Sequence, residues 1–172
     1  MNDRKRLFFA LWPDARQRER LRSIVTPVAG HIGGRHLPPG NWHVTLAFIG
    51  AFPEAKTDEL LARSAALHVE PVELCFDRIE YWARARIACL APASVPAALE
   101  RLVAALNELL TEFGHRPEDR QYRPHLTLAR AARTFATKRL AQPLTLEWSD
   151  FELVESIHEQ GGVRYLPLKQ GL

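Results

Sequence analysis

The sequence has little lysine, little cysteine and no long apolar run. Of its 23 basic residues only four are lysines, so arginine supplies most of the positive charge behind the net charge of +3. Arginine suits phosphate, because its planar guanidinium group makes two parallel hydrogen bonds to the phosphate oxygens. A coding bias towards arginine and alanine would explain the same surplus, and the sequence leaves both interpretations open.

Only two cysteines occur, Cys75 and Cys89, and both lie in apolar segments. Their spacing matches no zinc-binding motif, so two buried free thiols in a reducing compartment are expected. No apolar run approaches the ~20 residues of a membrane-spanning helix. The first apolar run is broken at Pro13, too early for a signal peptide. These absences predict a cytoplasmic protein that has no membrane partner.

The overall composition is that of an ordinary folded protein, with 47% hydrophobic and 25% charged residues. A chain of 172 residues is long enough to bury a sizeable core. No low-complexity tract or linker separates independent units. The sequence therefore predicts a single domain over residues 1–172, which is either one compact body or two small lobes.

Apolar periodicity predicts strands and helices in the order β-α-β-α-β-β-α-β-β-β. Residues 30–41, rich in glycine and proline, are predicted to form a loop, and residues 144–157 a single strand. Ser94 is the predicted cap of the third helix. Because strands and helices interleave while hairpins also occur, the pattern indicates an α+β fold with mixed or antiparallel sheets.

One short pattern occurs twice in the chain. The four residues at 43–46, His-Val-Thr-Leu, return as His-Leu-Thr-Leu at 125–128, 82 positions later. Both copies lie in short apolar segments typical of strands, in which residues i and i+2 share a face. Each copy therefore places an imidazole beside a hydroxyl, while the aliphatic residues point the other way into a core. Two such units suggest two half-domains that share one cleft.

Two histidines that face one cleft can act on both sides of an in-line displacement. Histidine titrates near neutral pH, so one imidazole can take a proton from the attacking water while the other protonates the leaving oxygen. The neighbouring threonine hydroxyls can donate hydrogen bonds to oxygens on which charge develops. This chemistry needs no metal and no cofactor, and the sequence offers no carboxylate cluster to hold a metal.

A single His-x-Thr unit on a strand carries little weight, because most strand histidines lie at the surface or in a satisfied core. A duplication kept only for packing would explain the repeated apolar residues. It would not explain why both copies carry histidine and threonine, which gain little from burial. The other five histidines lack a threonine two positions later and are assigned no role: His31, His36, His68, His115 and His158.

The paired motifs and their flanks resemble the 2H phosphoesterase superfamily, which is named for two His-x-Thr motifs. The chain is most similar to the bacterial and archaeal RNA 2′,3′-cyclic phosphodiesterases, historically called 2′-5′ RNA ligases. The resemblance spans nearly the whole chain and rests on four segments: Arg-Leu-Phe-Phe-Ala at 6–10, Asn-Trp-His-Val-Thr-Leu-Ala-Phe-Ile-Gly at 41–50, Arg-Pro-His-Leu-Thr-Leu-Ala-Arg at 123–130, and Arg-Tyr-Leu-Pro-Leu at 164–168.

The resemblance implies a bilobal α+β fold with two pseudo-symmetric lobes around a central cleft. It implies metal-independent hydrolysis of a terminal ribose 2′,3′-cyclic phosphate to a 2′-phosphomonoester. His43 would be the general acid that protonates the departing 3′ oxygen, and His125 the general base that activates water. Thr45 and Thr127 would hold the phosphate. The sequence alone does not distinguish the two histidines, because their flanks look alike.

Arg130 is a further candidate for the phosphate. Strand alternation places it on the face opposite His125, so it reaches the phosphate only if the strand ends or twists after Ala129. A site role and a surface role both stay open. Three aromatic residues near the motifs could stack on a base, although packing is the favoured interpretation for each: Trp42, Tyr122 and Tyr165.

Other functions remain open at this point. The same site could act on small cyclic nucleotides or on an ADP-ribose cyclic phosphate, or run in reverse as a 2′-5′ RNA ligase. A different class is a non-catalytic RNA-binding module that only grips a phosphate, although the presence of both histidines and both threonines counts against it. The main prediction is an enzyme that acts on RNA 3′ ends as a monomer.

Overall fold

The computed structural model describes residues 3–168. Residues 1–2 and 169–172, which the single-domain prediction includes, lie outside the described part. The elements in chain order are β1 (Arg4–Leu11), α1 (Ala15–Val25), α2 (Ala29–Ile32), β2 (Arg35–His36), β3 (Val44–Pro53), α3 (Thr57–Ala65), β4 (Val72–Trp82), β5 (Ile87–Pro92), α4 (Ala97–Glu112), β6 (Leu126–Arg130), β7 (Lys138–Trp148), β8 (Glu152–Glu159) and β9 (Gly162–Leu168).

Within residues 3–168, nine strands form one sheet with the order β7-β4-β5-β6-β3-β1-β8-β9, and β2 pairs with β6 beside this path. Every pairing is antiparallel. The sheet has two halves of four strands, which meet where Val44 on β3 faces Leu126 on β6. Each half contributes one His-x-Thr unit, so the two units lie side by side at this junction.

The residues between and after the motif positions fill the core, as the alternation predicts. Val44 and Leu126 are completely buried, and Leu46 and Leu128 are nearly so. The helices connect the two halves, because α1 packs against β7 while α4 packs against β3. Burying these apolar faces holds the strand junction in place and leaves the imidazoles on the opposite face. No helix among residues 3–168 is long and apolar enough to cross a membrane.

Two predictions about element boundaries were wrong. Residues 30–41, predicted as a loop, contain strand β2, because Arg35 and His36 pair with the end of β6. Residues 144–157, predicted as one strand, belong to two strands separated by the irregular residues 149–151. The two strands have different partners, since β7 pairs with β4 and β8 with β1.

Two predictions about single residues were also wrong. Ser94 does not cap the third helix, because α4 begins three residues later, at Ala97. Pro96 occupies the capping position, and no side chain caps the helix. Cys75 is exposed, whereas Cys89 is buried, and both are free thiols. Cys75 lies on β4 between Leu74 and Phe76, which both point into the core, so strand alternation turns the thiol outward.

Candidate active site

The first imidazole is held in one orientation by the backbone that precedes it. The Nδ1 atom of His43 lies 2.8 Å from the carbonyl oxygen of Asn41. A carbonyl oxygen only accepts hydrogen bonds, so Nδ1 carries the proton. The other ring nitrogen, Nε2, lies 3.1 Å from the hydroxyl oxygen of Thr45. The neutral ring therefore directs its lone pair at Nε2 towards this hydroxyl, which donates to it.

The second imidazole is held in the same way. The Nδ1 atom of His125 lies 2.9 Å from the carbonyl oxygen of Arg123, again two residues earlier in the chain. Nε2 is therefore the basic nitrogen of the neutral ring in both copies. Fixing the tautomer by a backbone carbonyl is a common way to prepare a histidine for proton transfer. The two carbonyl groups were not predicted, although their position two residues before each histidine is the same.

Three aromatic rings enclose His43. The indole of Trp12 is parallel to the imidazole with the ring centres 5.1 Å apart. The ring centres of Phe8 and Tyr165 lie 5.0 Å and 5.2 Å from the centre of the imidazole, and Tyr165 contacts the imidazole edge-on. The rings come from β1, the residue just after β1, and β9, so the sheet order β3-β1-β8-β9 brings them to the motif. Tyr165 therefore packs against the imidazole, as its favoured interpretation predicted.

The enclosure changes the acidity of His43. Burial among these rings disfavours the charged form and lowers the pKa of His43 from 6.5 to about 4. The hydrogen bond to the Asn41 carbonyl opposes this change, whereas the positive charges of His125 and Arg130 lower the pKa further. His43 is consequently a neutral base at neutral pH in the free protein.

His125 has a more polar surrounding. Burial lowers its pKa as well, with additional lowering by the charge of Arg123. The imidazole packs on Trp82 with the ring centres 4.3 Å apart, and the guanidinium group of Arg123 lies 4.3 Å from the same indole. Glu80 accepts a hydrogen bond from the indole nitrogen of Trp82 at 2.7 Å. This carboxylate fixes the ring that supports His125, a link that the sequence pattern did not reveal.

The acidity of His43 leads to a prediction for stability. The folded protein releases the His43 proton near pH 4 and the unfolded chain near pH 6.5, so the unfolded state binds more protons between these values. The free energy of unfolding should therefore fall as the pH drops from 6.5 to 4, by up to about 3 kcal/mol from this residue. Urea unfolding at pH 7 and pH 4 measures the loss.

The matched variant for this measurement is His43→Asn, whose amide can still donate to the Asn41 carbonyl but does not titrate. The variant should lose less stability than the wild type over the same pH interval, while His125 titrates in both proteins. An equal loss in the two proteins would show that His43 keeps its ordinary pKa in the fold.

The histidines open onto two cavities that meet at Thr45 and Phe48. The His43-side cavity has a volume of about 570 Å³ and also contains Arg130 in its wall. The His125-side cavity has a volume of about 980 Å³ and reaches Tyr122. Thr45 thus lies at the boundary between the two halves of one cleft, and each half contains one of the motif histidines.

Arg130 is placed in this cleft by an irregularity in β6. Ala88 pairs with Ala129, but the next residue, Cys89, pairs with Thr127, so the strand carries an extra residue at Leu128. Such a bulge shifts the following side chains to the other face. Arg130 therefore lines the His43-side cavity with the first motif, although regular alternation would have placed it opposite the histidines.

The two threonines are not equivalent. Thr45 contacts His43, whereas Thr127 is partly buried on β6 opposite Cys89, and its hydroxyl makes no hydrogen bond to another residue in the range 3–168. Its hydroxyl is thus a free donor on the motif strand. Two other candidates have packing roles: Trp42 is buried in the core, and the Tyr122 hydroxyl donates to the carbonyl oxygen of Thr45 at 2.9 Å.

No group of three or more histidine, cysteine, aspartate or glutamate side chains in the described part of the chain is arranged to hold a metal ion. Besides two carboxylates on the His125 side, Glu80 and Glu118, the polar groups of the cleft include imidazoles, hydroxyls and guanidinium groups. These last three kinds of group can donate hydrogen bonds to an anion. The arrangement combines two proton-transfer groups with donors for a bound phosphate.

Fold and site together are those of a phosphoesterase. The chain is similar to a phosphoesterase of known crystal structure, with a TM-score of 0.85 and 27% sequence identity over 96% of each chain. It is similar to Escherichia coli LigT complexed with 3′-AMP at the same TM-score, with 29% identity over 96% of each chain. The predicted α+β phosphoesterase fold is confirmed by these similarities.

The chain belongs to the 2′-5′ RNA ligase superfamily, whose family model matches residues 12–156. It is 30% identical to the RNA 2′,3′-cyclic phosphodiesterase of Escherichia coli strain K12, over 99% of this chain and 97% of the relative. A relative with the same name from Archaeoglobus fulgidus is 25% identical over 95% and 98% of the two chains. The family predicted from the paired motifs is thereby confirmed.

Proposed function

We propose that the protein hydrolyses the 2′,3′-cyclic phosphate at the end of an RNA to a 2′-phosphomonoester. One observation carries the proposal: two histidines on adjacent strands are fixed through Nδ1 by backbone carbonyls and present Nε2 to one cleft. The curated relatives, which match almost the whole chain, are named RNA 2′,3′-cyclic phosphodiesterases. Fold, site and relatives support the same reaction.

In the proposed mechanism the two histidines act on opposite sides of phosphorus. Nε2 of neutral His125 takes a proton from water as the water oxygen attacks. Nε2 of protonated His43 gives a proton to the 3′ oxygen as its bond to phosphorus breaks. The phosphate stays attached through the 2′ oxygen. The reaction leaves His125 protonated and His43 neutral, so the two protons must be exchanged with solvent before the next turnover.

The acid role of His43 requires a change of protonation on binding, because the free protein holds this residue neutral at pH 7. The cyclic phosphate carries a negative charge, and an anion close to an imidazole favours its protonated form. Bound substrate therefore opposes the effect of burial and of the neighbouring cations. The apolar rings around His43 strengthen this attraction, since they keep water away from the ion pair.

The remaining polar groups hold the phosphate. The hydroxyls of Thr45 and Thr127 and the guanidinium group of Arg130 are proposed to donate to its non-bridging oxygens. Negative charge on these oxygens grows in the transition state, so donors fixed in advance lower the barrier. Arg130 is supported by its place in the His43-side cavity and by its electrostatic effect on both histidines.

The proposed reaction needs no metal, because the histidines supply both proton transfers. A short RNA ending in a 2′,3′-cyclic phosphate should be opened by purified protein in excess EDTA at the same rate as in buffer alone. Liquid chromatography of the products measures this rate. Turnover that appears only after Mg²⁺, Mn²⁺ or Zn²⁺ is added would contradict the mechanism, whereas equal rates would support it.

RNA ends are the proposed substrates. Joining to a 2′-5′ linkage would use the same acid and base in the same roles, because the 5′-hydroxyl of a second RNA replaces the attacking water while the 3′ oxygen still leaves. Small cyclic nucleotides and a purely RNA-binding role are not favoured, since the relatives carry the name of a phosphodiesterase acting on RNA. We further propose that the two sheet halves act as one domain, because one apolar core spans both. Monomeric state and cytoplasmic location stay predictions.

A further inference from the structure

Three arginines surround the His43-side cavity without an acidic partner. The side chains of Arg6, Arg35 and Arg130 are exposed in its wall, and none of them forms an ion pair with another residue in the range 3–168. No aspartate or glutamate among the described residues lines this cavity. Positive charge here is therefore left uncompensated by the protein itself, which favours an anionic ligand.

Two of these arginines lie directly opposite each other on neighbouring strands. Arg35 on β2 is in register with Arg130 at the end of β6. Like charges at directly opposite positions of an antiparallel pair are unfavourable. The fold nevertheless holds this pair together. Gly34 has a φ angle of +75°, and a Cβ there would lie 2.6 Å from the carbonyl oxygen of Arg130. Only glycine permits so close an approach of the two strands.

The third arginine approaches from the other side of the cavity. The guanidinium group of Arg6 on β1 lies 4.8 Å from the ring centre of Phe48, one of the two large apolar side chains that the described chain exposes. Phe48 borders both cavities. Arg6 is thus held over the cleft entrance by a cation–π contact, with its hydrogen-bond donors still available.

The His125-side cavity has a different charge pattern. Its wall contains the carboxylates of Glu80 and Glu118, and these accept hydrogen bonds from Arg123 and Arg120 respectively. Arg120 and Arg123 beside His125 are consequently paired, and Arg84 shares this wall with the two carboxylates. The two cavities therefore differ in the anions they can hold, because the wall on the His43 side combines three unpaired arginines with no carboxylate among the described residues.

The proposed mechanism indicates on which side of the cleft the rest of the RNA lies. His43 protonates the 3′ oxygen, so the ribose that carries this oxygen must lie on the His43 side of phosphorus. The rest of an RNA continues from the 5′ carbon of the same ribose. On these roles, the next phosphodiester along the chain is expected in the His43-side cavity and not in the cavity beside His125.

We propose that Arg6 and Arg35 bind the phosphodiester that joins the terminal nucleotide to the rest of the RNA. This inference rests on the proposed function and adds to it a preference for oligonucleotides over mononucleotides. Arg130 remains at the cyclic phosphate, and Arg35 beside it takes the neighbouring negative charge. Two phosphates held in this way would offset the repulsion between the paired arginines.

Three substrates test the subsite. They are uridine 2′,3′-cyclic phosphate, a uridine dinucleotide that ends in the same cyclic phosphate, and that dinucleotide with a neutral methylphosphonate linkage. The wild type should show kcat/KM about tenfold higher for the charged dinucleotide than for the mononucleotide, because a charge-assisted contact contributes this order of discrimination. The methylphosphonate should lower the ratio to near one.

The variants Arg6→Gln and Arg35→Gln should each lower the dinucleotide-to-mononucleotide ratio at least threefold. The control is Arg84→Gln, which removes an arginine without an ion pair from the His125-side cavity and should leave the ratio unchanged. Circular dichroism checks that each variant is folded.

Several outcomes would contradict the proposed subsite. A wild-type ratio near one, an unchanged ratio in both arginine variants, or an equal decrease in Arg84→Gln would each do so. These outcomes leave the proposed function intact, because the mononucleotide is still opened. If neither charged substrate is opened at all, the proposed function fails and the subsite fails with it.

Discussion

His43→Ala and His125→Ala should each lower kcat on a cyclic-phosphate RNA end by about 10³ or more. General acid or base catalysis by a positioned residue contributes about 10²–10⁴. Each variant also removes an imidazole that faces the developing charge. Because acid and base act in the same transition state, the double variant should be little worse than either single one. Single-turnover assays at saturating enzyme measure the effect.

Two histidines of the same cleft serve as controls. His158 lines the His43-side cavity and His115 the His125-side cavity, and neither belongs to a His-x-Thr unit. Their alanine variants should keep turnover within a few-fold of the wild type. His43→Asn separates catalysis from packing, since alanine leaves a gap among the aromatic rings. Near-wild-type turnover in a folded variant of either motif histidine would remove that residue from the mechanism.

Thr45→Val should lower kcat by about 10²–10³, the usual cost of removing one donor to a charged transition state. Valine has almost the same shape but lacks the hydroxyl that lies 3.1 Å from Nε2 of His43. Thr45→Ser keeps this donor and should retain most of the activity. The comparison of the two variants by kcat distinguishes a lost hydrogen bond from altered packing.

Thr127→Val provides a second comparison at the equivalent motif position. Thr127 makes no hydrogen bond to His125 in the described part of the chain, so its loss should affect kcat without changing the protonation of His125.

If Thr45→Val and Thr45→Ser were equally active, the Thr45 hydroxyl would have no catalytic role.

The repeated motif predicts the centre of the site because strand geometry is regular. Residues two apart share a face, so His43 and Thr45 had to lie together, and Val44 had to enter the core. The fold class followed from the interleaved elements. Pairing of distant strands was harder to predict. One boundary error missed a short strand that forms only by pairing with the end of β6, and the other arose where the chain changes its partner strand.

The surroundings of each histidine depend on contacts that no local pattern encodes. Trp12 and Tyr165 reach His43 only because β1 and β9 share its half of the sheet. Arg130 reaches the cleft because of a bulge in β6, and the position of a bulge is not predicted by a single sequence. The different environments of the two imidazoles therefore had to come from the structure, although their flanking residues look alike.

The position of the phosphate in the product tests the central claim most directly. Purified protein is incubated in EDTA with a short RNA ending in a 2′,3′-cyclic phosphate, and the products are compared with 2′- and 3′-phosphate standards. The account predicts a 2′-phosphate that is lost in His43→Ala and His125→Ala. A 3′-phosphate would contradict the assignment of the leaving oxygen, and absence of any opened product would contradict the proposed activity.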